Sequence, residues 1–302
     1  MTTSSPNALA PSQLQIWLAA SRPATLLLSA APVMMGTAFA WYHDAFDAVA
    51  AIFALLVAVF IQIGTNIAND YFDYKKGADT EDRLGPARVT QKGWVNPSTV
   101  ARVAALCFFL AFLSGLVLVY KAGWVLLLVG IVSILSGAWY TGGPAPLAYT
   151  GLSDLFVVIF FGPVAVLGTY FAQTHQLDLS AAIASVALGL IATAVLAVNN
   201  LRDRETDVLA NKRTMVVRFG KGFGLVEHAL CLLLPFVIVV GGVQQELFPA
   251  KTLFTLMLLP LVVREIRSVR RLDGAALNPH LGGAARAAVL FSLLFSLALA
   301  TS

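Results

Sequence analysis

Nine apolar stretches, each long enough to cross a lipid bilayer, limit the folds that are open to this chain. A transmembrane helix needs about 20 predominantly apolar residues. Charged residues make up only 12% of the chain, whereas soluble globular domains have about 25%. We therefore predict an all-α integral membrane protein and exclude a soluble domain. The predicted spans are residues 22–42, 48–69, 100–120, 122–140, 153–172, 180–201, 222–242, 248–264 and 284–301.

The lysine and arginine residues support this topology. If the N-terminus lies in the cytoplasm, all but two of the 20 Lys and Arg residues fall on the cytoplasmic side, and the exceptions are Lys121 and Lys251. This asymmetry follows the positive-inside rule and places the C-terminus outside. The net charge of +4 therefore reflects topology, and no basic stripe interleaved with aromatic residues indicates nucleic-acid binding. We expect residues 1–20 to form a short cytoplasmic tail and residues 21–302 to form a single transmembrane domain.

Two acidic segments follow apolar runs at corresponding places. Residues 69–73 read Asn-Asp-Tyr-Phe-Asp at the end of the second span, and residues 199–203 read Asn-Asn-Leu-Arg-Asp at the end of the sixth. Because four spans separate the segments, both emerge on the same face of the membrane. Their Asn and Asp side chains recur at helical spacing and so form one stripe on each helix. A stripe of carboxylates facing lipid would be costly, and both stripes are therefore predicted to face the bundle interior.

This pattern favours binding of Mg²⁺ and a diphosphate. Magnesium prefers oxygen ligands and is typically held by one or two carboxylates together with substrate phosphates. The predicted metal ligands, whose aspartates are also assigned to catalysis, are Asn69, Asp70, Asp73, Asn199, Asp203 and Asp207. The basic residues predicted to contact phosphate oxygens are Arg88, Lys92, Lys212, Arg213 and Arg218. An ordinary solvated helix end would explain either segment alone, but it leaves the repeat unexplained.

Two further polar residues are candidates for contact with substrate, and each has a simpler interpretation. Tyr140 precedes a Gly-Gly-Pro turn, although tyrosine is also a common anchor at the membrane interface. Asp154 begins the fifth span, where it is either a helix cap or a further acid of the site.

The motifs resemble those of the UbiA-type intramembrane prenyltransferases and occur in the order of that family. The resemblance extends over residues 20–300. The stretches that carry it are Arg22-Pro-Ala-Thr, Asn66-Ile-Ala-Asn-Asp-Tyr-Phe-Asp, Tyr140-Thr-Gly-Gly-Pro and Asn199-Asn-Leu-Arg-Asp. Four residues after Asp73 the chain has Gly77, and the next acid is Asp79. This variant is similar to the naphthoate branch of the family rather than to its 4-hydroxybenzoate branch.

The resemblance implies a fold of about nine transmembrane helices around a central cavity, in a bacterial cytoplasmic (inner) membrane. It implies Mg²⁺-dependent transfer of a polyprenyl group from polyprenyl diphosphate to 1,4-dihydroxy-2-naphthoate. Carbon dioxide and diphosphate would be lost, and the product would be demethylmenaquinone. No obligate protein partner is inferred. The residues to which position and resemblance assign a further substrate-binding role are Arg22, Asn66, Asn69, Lys76, Asp79, Asn199 and Asn200.

Several alternatives remain open at this stage. Within the same reaction class, the acceptor could instead be 4-hydroxybenzoate, homogentisate or a haem group. A transporter would also contain intramembrane acids and internal repeats, but the acids here lie at span ends rather than at the midplane. A phosphatidyltransferase would be expected to show a denser acidic motif than this chain contains.

Overall fold

A computed structural model describes residues 11–78 and 84–302, and these residues form mainly helices. The predicted substrate-binding residue Asp79 lies outside the described residues. The α-helices are α1 (Gln13–Ser21), α2 (Pro23–Tyr42), α3 (Ala48–Lys75), α4 (Pro97–Ala122), α5 (Val125–Trp139), α6 (Leu147–Thr150), α7 (Ser153–Ile159), α8 (Ala165–Thr174), α9 (Leu179–Leu209), α10 (Met215–Gln244), α11 (Leu259–Val269) and α12 (Asn278–Ala300). Two 3₁₀-helices, Ala250–Leu258 and Gly274–Leu277, and a π-helical turn, Phe160–Val164, complete the helical segments.

Seven helical segments among the described residues are long and apolar enough to cross a membrane. They are Pro23–Tyr42, Ala48–Lys75, Pro97–Ala122, Ser153–Thr174, Leu179–Leu209, Met215–Gln244 and Gly274–Ala300. The other two predicted spans correspond to α5, which has only 15 residues, and to the 3₁₀-helix that leads into α11. The all-helical, multi-pass membrane fold is therefore confirmed, whereas the count of nine spans stays a prediction.

The helix of the fifth predicted span is interrupted near its middle. Gly162 has φ −102° and ψ −108°, outside the helical region, and Pro163 follows it. Proline has no backbone N–H and its ring clashes with the preceding turn, so the regular hydrogen bonding cannot continue through this point. The result is the π-helical turn between α7 and α8.

Helices α3 and α9 are longer than the sequence predicted and carry the two acidic segments within regular helix. At the N-termini, Asp47 caps α3 by accepting from the amide of Ala50 at 3.0 Å, and Asp178 caps α9 by accepting from the amide of Ala181 at 2.7 Å. The helices have 28 and 31 residues, which correspond to about 42 and 46 Å. Since the hydrocarbon core is about 30 Å thick, their C-terminal turns can reach the membrane boundary while keeping helical spacing.

Helix α9 lies at the centre of the bundle. In the most apolar stretch of α9, 72% of the residues are buried within the protein, whereas in the corresponding stretch of α3 the share is 17%. Close packing of α9 depends on Gly189, where a Cβ atom would lie 2.3 Å from the carbonyl oxygen of Val158. On the other side of α9, Phe39 and Phe295 pack with ring centroids 5.8 Å apart and join α2 to α12.

The N-terminal helix α1 lies within the stretch assigned to a cytoplasmic tail. Its residues Ile16 and Ala20 are buried in a cluster with Ile67 of α3 and Val100 of α4. Ser12 caps the helix in a reciprocal arrangement with Gln15. Residues 13–21 are therefore packed against the bundle, and the division into a tail and a single domain stays a prediction.

We expect Gly189→Ala to destabilise the protein. The added methyl group meets backbone atoms of α7 that cannot rotate away, and overpacking of this kind costs about 1–3 kcal/mol. The matched control is Gly241→Ala, because a Cβ at Gly241 meets no atom within 4 Å and alanine is the better helix former. Thermal unfolding in detergent should give a lower midpoint for the first variant only, and equal midpoints would contradict the packing described here.

Candidate active site

A cavity of about 890 Å³ opens between the helices and is lined by residues from both acidic segments. Its walls change in character along α3, because Ala54, Val57 and Ile61 precede Asn66, Asn69 and Asp73 on the lining face. The same change occurs along α9, where Ala192 and Val195 precede Asn199, Asp203 and Asp207. The cavity thus has one polar end, where the two stripes meet, and one apolar end within the bundle.

Asp73 lies at the polar end and is buried. Its Oδ2 atom accepts a hydrogen bond from Nη2 of Arg88 at 2.9 Å, and its Oδ1 atom accepts one from the hydroxyl of Tyr149 at 3.4 Å. Arg88 belongs to the loop after α3, and Tyr149 belongs to the short helix α6. This aspartate therefore connects three parts of the chain beside the cavity.

Asp70 has a different environment, although it lies only three residues earlier. Its two carboxylate oxygens accept from the backbone amides of Val89 and Thr90 at 2.8 and 3.0 Å. The side chain is buried and does not line the cavity. Asp70 thus anchors the loop that carries Arg88 and fixes that guanidinium next to Asp73.

The second acidic segment is organised around Arg202. Its Nε and Nη2 atoms donate to the two carboxylate oxygens of Asp203 at 2.8 and 2.5 Å. The same guanidinium donates to Oδ1 of Asn199 at 2.8 Å and to Oδ1 of Asn278 at 3.0 Å. Asp207 lies one turn further along α9, with its Oδ1 atom 3.5 Å from Nζ of Lys212. All six of these residues line the cavity.

The predicted basic residues fall into two groups. Arg22, Arg88 and Lys212 line the cavity, whereas Lys76, Lys92, Arg213 and Arg218 do not. Arg218 donates through Nη2 to the carbonyl oxygen of Thr150 at 2.7 Å, and the backbone amide of Arg213 donates to the carbonyl oxygen of Tyr149 at 3.1 Å. The loop after α9 and the first turn of α10 therefore hold helix α6 in place.

Lys76 lies beside the polar end without lining it. Its Nζ atom donates to the carbonyl oxygen of Thr141 at 2.5 Å and lies 4.8 Å from the ring centroid of Tyr149. Burial lowers the pKa of Lys76; the Asp73 carboxylate opposes this shift and Lys212 reinforces it. Lys212 lies over the same ring at 5.3 Å, so Tyr149 is in contact with two cations and one carboxylate.

The remaining candidate residues lie on or next to the cavity wall. Asn66 lines the cavity and donates through Nδ2 to the carbonyl oxygen of Ser21 and to Oγ1 of Thr25, at 2.9 and 2.8 Å. Tyr140 lines the cavity as well. Asp154 does not, but its Oδ1 atom accepts from Nδ2 of the lining residue Asn200 at 3.3 Å.

Sequence reasoning did not include several residues that complete the polar end. Arg202 is three residues after Asn199, and this helical spacing could have placed Arg202 on the same stripe as the acidic residues. Thr141, whose hydroxyl donates to Oδ1 of Asn69 at 2.7 Å, lies in the Tyr140-Thr-Gly-Gly-Pro stretch, which was an available signal. Tyr149, which donates to Asp73, carried no comparable signal. Asn278 comes from the start of α12, far away in the chain.

The donor set suits a divalent ion that is shared with a bound diphosphate. Among the described residues, no three His, Cys, Asp or Glu side chains converge in a way that could hold a metal ion. Each stripe instead presents amide and carboxylate oxygens to the cavity, with one or two carboxylates apiece. Magnesium is commonly bound in this way, with phosphate oxygens and water completing its coordination.

Comparison with known proteins agrees with this geometry. The 1,4-dihydroxy-2-naphthoate octaprenyltransferase of Escherichia coli is 39% identical over 296 residues, which cover 95% of each chain. The protein of the same name from Mycobacterium tuberculosis is 44% identical over 206 residues, covering 68% of this chain and 70% of that one.

Solved structures share the fold at low sequence identity. A UbiA homolog from Aeropyrum pernix K1, in its apo form, has a TM-score of 0.67 at 14% identity over 91% of this chain and 97% of that one. A UbiA homolog from Archaeoglobus fulgidus bound to GPP and Mg²⁺ has a TM-score of 0.63 at 16% identity, covering 95% and 99%. Residues 29–300 match the UbiA prenyltransferase family, and the chain belongs to that family.

Proposed function

We propose that this protein transfers a polyprenyl group from polyprenyl diphosphate to 1,4-dihydroxy-2-naphthoate, the step that forms the demethylmenaquinone skeleton. The observation that carries the proposal is the cavity in which two Asn–Asp stripes and several cations meet an apolar interior. Relatives named for this acceptor and aligned over nearly the whole chain support the choice of substrate. The bond from the allylic carbon to the diphosphate oxygen breaks, a bond to the naphthoate ring forms, and the ring carboxylate leaves as CO₂.

The polar end is the proposed diphosphate site. Asn69, Asp73, Asn199, Asp203 and Asp207 are the proposed Mg²⁺ ligands, since these residues line the cavity and their side chains carry oxygen atoms. Bound Mg²⁺ would neutralise the charge that develops on the departing diphosphate. The cations that line the same end, and are proposed to contact the outer phosphate oxygens, are Arg22, Arg88, Arg202 and Lys212.

Asp70 has a separate role in this proposal. Both of its carboxylate oxygens are already engaged by loop amides, so we assign it to positioning Arg88 rather than to the metal. Lys92, Arg213 and Arg218 are likewise assigned to the structure around the site, because they do not line the cavity.

The apolar end suits the prenyl chain and the carbocation. Its wall includes Val57, Leu118, Leu126 and Phe160, which offer no nucleophile. Such a wall keeps water from an allylic cation once the diphosphate has left. The acceptor is proposed to lie between this wall and the diphosphate, near Tyr140 and Asn66, so that its ring reaches the allylic carbon. The distribution of Lys and Arg supports a cytoplasmic site in a bacterial inner membrane, with the N-terminus inside and the C-terminus outside.

Membranes that contain the protein should form prenylated product from a long prenyl diphosphate, Mg²⁺ and 1,4-dihydroxy-2-naphthoate. Mass spectrometry detects the product. In one parallel reaction 4-hydroxybenzoate replaces the naphthoate, and in another EDTA is added to remove Mg²⁺. We expect product from the naphthoate only, and none with EDTA. Product from 4-hydroxybenzoate alone would keep the reaction class but reject the acceptor. Absence of product from both acceptors, with folded protein, would reject the proposed function.

Asp73→Asn and Asp203→Asn should each lower the rate of product formation by at least about 10²-fold, because groups that stabilise developing charge have effects of that size. Asparagine keeps the shape and one acceptor oxygen at each position. The matched control is Asp273→Asn, since Asp273 is exposed and pairs with Lys221 at 2.6 Å away from the cavity. Wild-type rates in either cavity variant would remove that stripe from the site.

Asp70→Asn should lower the thermal unfolding midpoint even when neither metal nor substrate is present. The side-chain NH₂ of asparagine is a donor, so it cannot accept a hydrogen bond from the second of the two loop amides. That backbone N–H is then buried without an acceptor, which costs about 1–3 kcal/mol. Asp207→Asn is the control, because Asp207 faces the cavity. If Asp70→Asn instead kept its metal-free stability and changed only the Mg²⁺ concentration needed for activity, Asp70 would be a metal ligand and the positioning role would be wrong.

A further inference from the structure

The outer face of α11 carries a row of arginines that the proposed reaction does not use. Six side chains recur at spacings of three, one, three, one and three residues, and so form one stripe along the helix and the turn that follows it. They line a shallow surface cleft that shares no lining residue with the catalytic cavity, and they are Pro260, Val263, Arg264, Arg267, Ser268 and Arg271.

The acids of this region are engaged elsewhere. Glu265, on the opposite face of α11, pairs with Nδ1 of His280 on α12 at 2.8 Å, and Asp273 pairs with Nζ of Lys221 at 2.6 Å. Across the described part of the chain, no carboxylate lies within ion-pair distance of the three cleft arginines, which are all exposed. The cleft therefore presents three positive charges without a partner in the described protein.

An apolar surface adjoins these arginines on the side of the preceding 3₁₀-helix. Phe254, Met257 and Leu261 are 59%, 73% and 43% exposed, as expected for side chains that face acyl chains. From Ala250 to Arg264 the backbone rises about 27 Å, given about 2.0 Å per 3₁₀ residue and 1.5 Å per α residue. This rise nearly matches a hydrocarbon core of about 30 Å. If the segment crosses the bilayer as the sequence predicts, the arginines lie at the membrane–water boundary.

We propose that this cleft binds the phosphate group of an anionic phospholipid, whose acyl chains lie along the apolar surface. Arginine suits the ligand because its planar guanidinium can donate two parallel hydrogen bonds to phosphate oxygens. Pro260 and Val263 close the membrane side of the cleft, and Ser268 adds a hydroxyl donor between the charges. An anionic lipid would supply the negative charge that the protein itself lacks here and would hold α11 against the bilayer.

The test uses the full-length protein, delipidated in detergent, and counts bound lipids by native mass spectrometry. The probes are phosphatidylglycerol, phosphatidylcholine and inorganic pyrophosphate. Arg267→Gln removes the central charge of the cleft. Arg270→Gln is the matched control, because Arg270 is exposed directly after the same helix and does not line the cleft. Thermal unfolding without lipid verifies that both variants are folded.

We expect phosphatidylglycerol to bind in preference to phosphatidylcholine and to remain bound in the presence of pyrophosphate. Arg267→Gln should weaken its binding about tenfold, which corresponds to one charge-assisted hydrogen bond, and Arg270→Gln should weaken it less than about twofold. Equal effects of the two substitutions would indicate non-specific attraction and overturn the proposal. Loss of lipid on addition of pyrophosphate, or equal binding of both lipids, would overturn it too.

Discussion

The buried carboxylates at the ends of α3 and α9 require partners, and the polar end of the cavity is built around that requirement. A charge left unpaired in a low-dielectric interior costs several kcal/mol. Asp73 and Asp203 each receive a guanidinium from a nearby part of the chain, Arg88 and Arg202 respectively. Each of the two acidic segments therefore has an aspartate whose charge is neutralised by one arginine. Before substrate arrives, these pairs keep the polar end close to neutral.

In the proposed function, the same pairs would prepare the site for a diphosphate. When a metal ion binds the aspartate, the guanidinium that pairs with that carboxylate would contact phosphate oxygens instead, and no charge would be left isolated. Asp70 holds the loop that carries Arg88 through two backbone amides, so this exchange would not require Arg88 to be repositioned.

Arginines inside and outside the bundle illustrate two uses of one residue type. Arg88 and Arg202 are buried beside acids, whereas Arg264 and Arg267 lie on the outer face of α11 without an acid among the described residues. The difference arises from the direction of Glu265, which points toward α12 and pairs with His280. Helix α11 thus directs Glu265 toward the protein and leaves Arg264 and Arg267 exposed on its outer face.

The sequence by itself determined the membrane class, the helical fold, the internal repeat and the stripes that carry Asn69, Asp73, Asn199 and Asp203. These features follow from hydropathy and helical periodicity, which are properties of short segments. These properties could not distinguish the aspartate that lines the cavity from the one that binds the loop amides. Asp70 and Asp73 differ by about 60° around the helix at 3.6 residues per turn, so the spacing rule places both on one face.

Only the tertiary structure decided which carboxylate faces the cavity and which faces the loop amides of Val89 and Thr90. It likewise brought Tyr149 to Asp73 and Asn278 to Arg202, across 76 residues of chain in each case. The location of the cleft arginines opposite Glu265 also depended on how α11 packs against α12. Contacts of this kind form between segments that are far apart in the chain. Helical periodicity describes only residues that are close in sequence, so it does not predict which distant segments pack together.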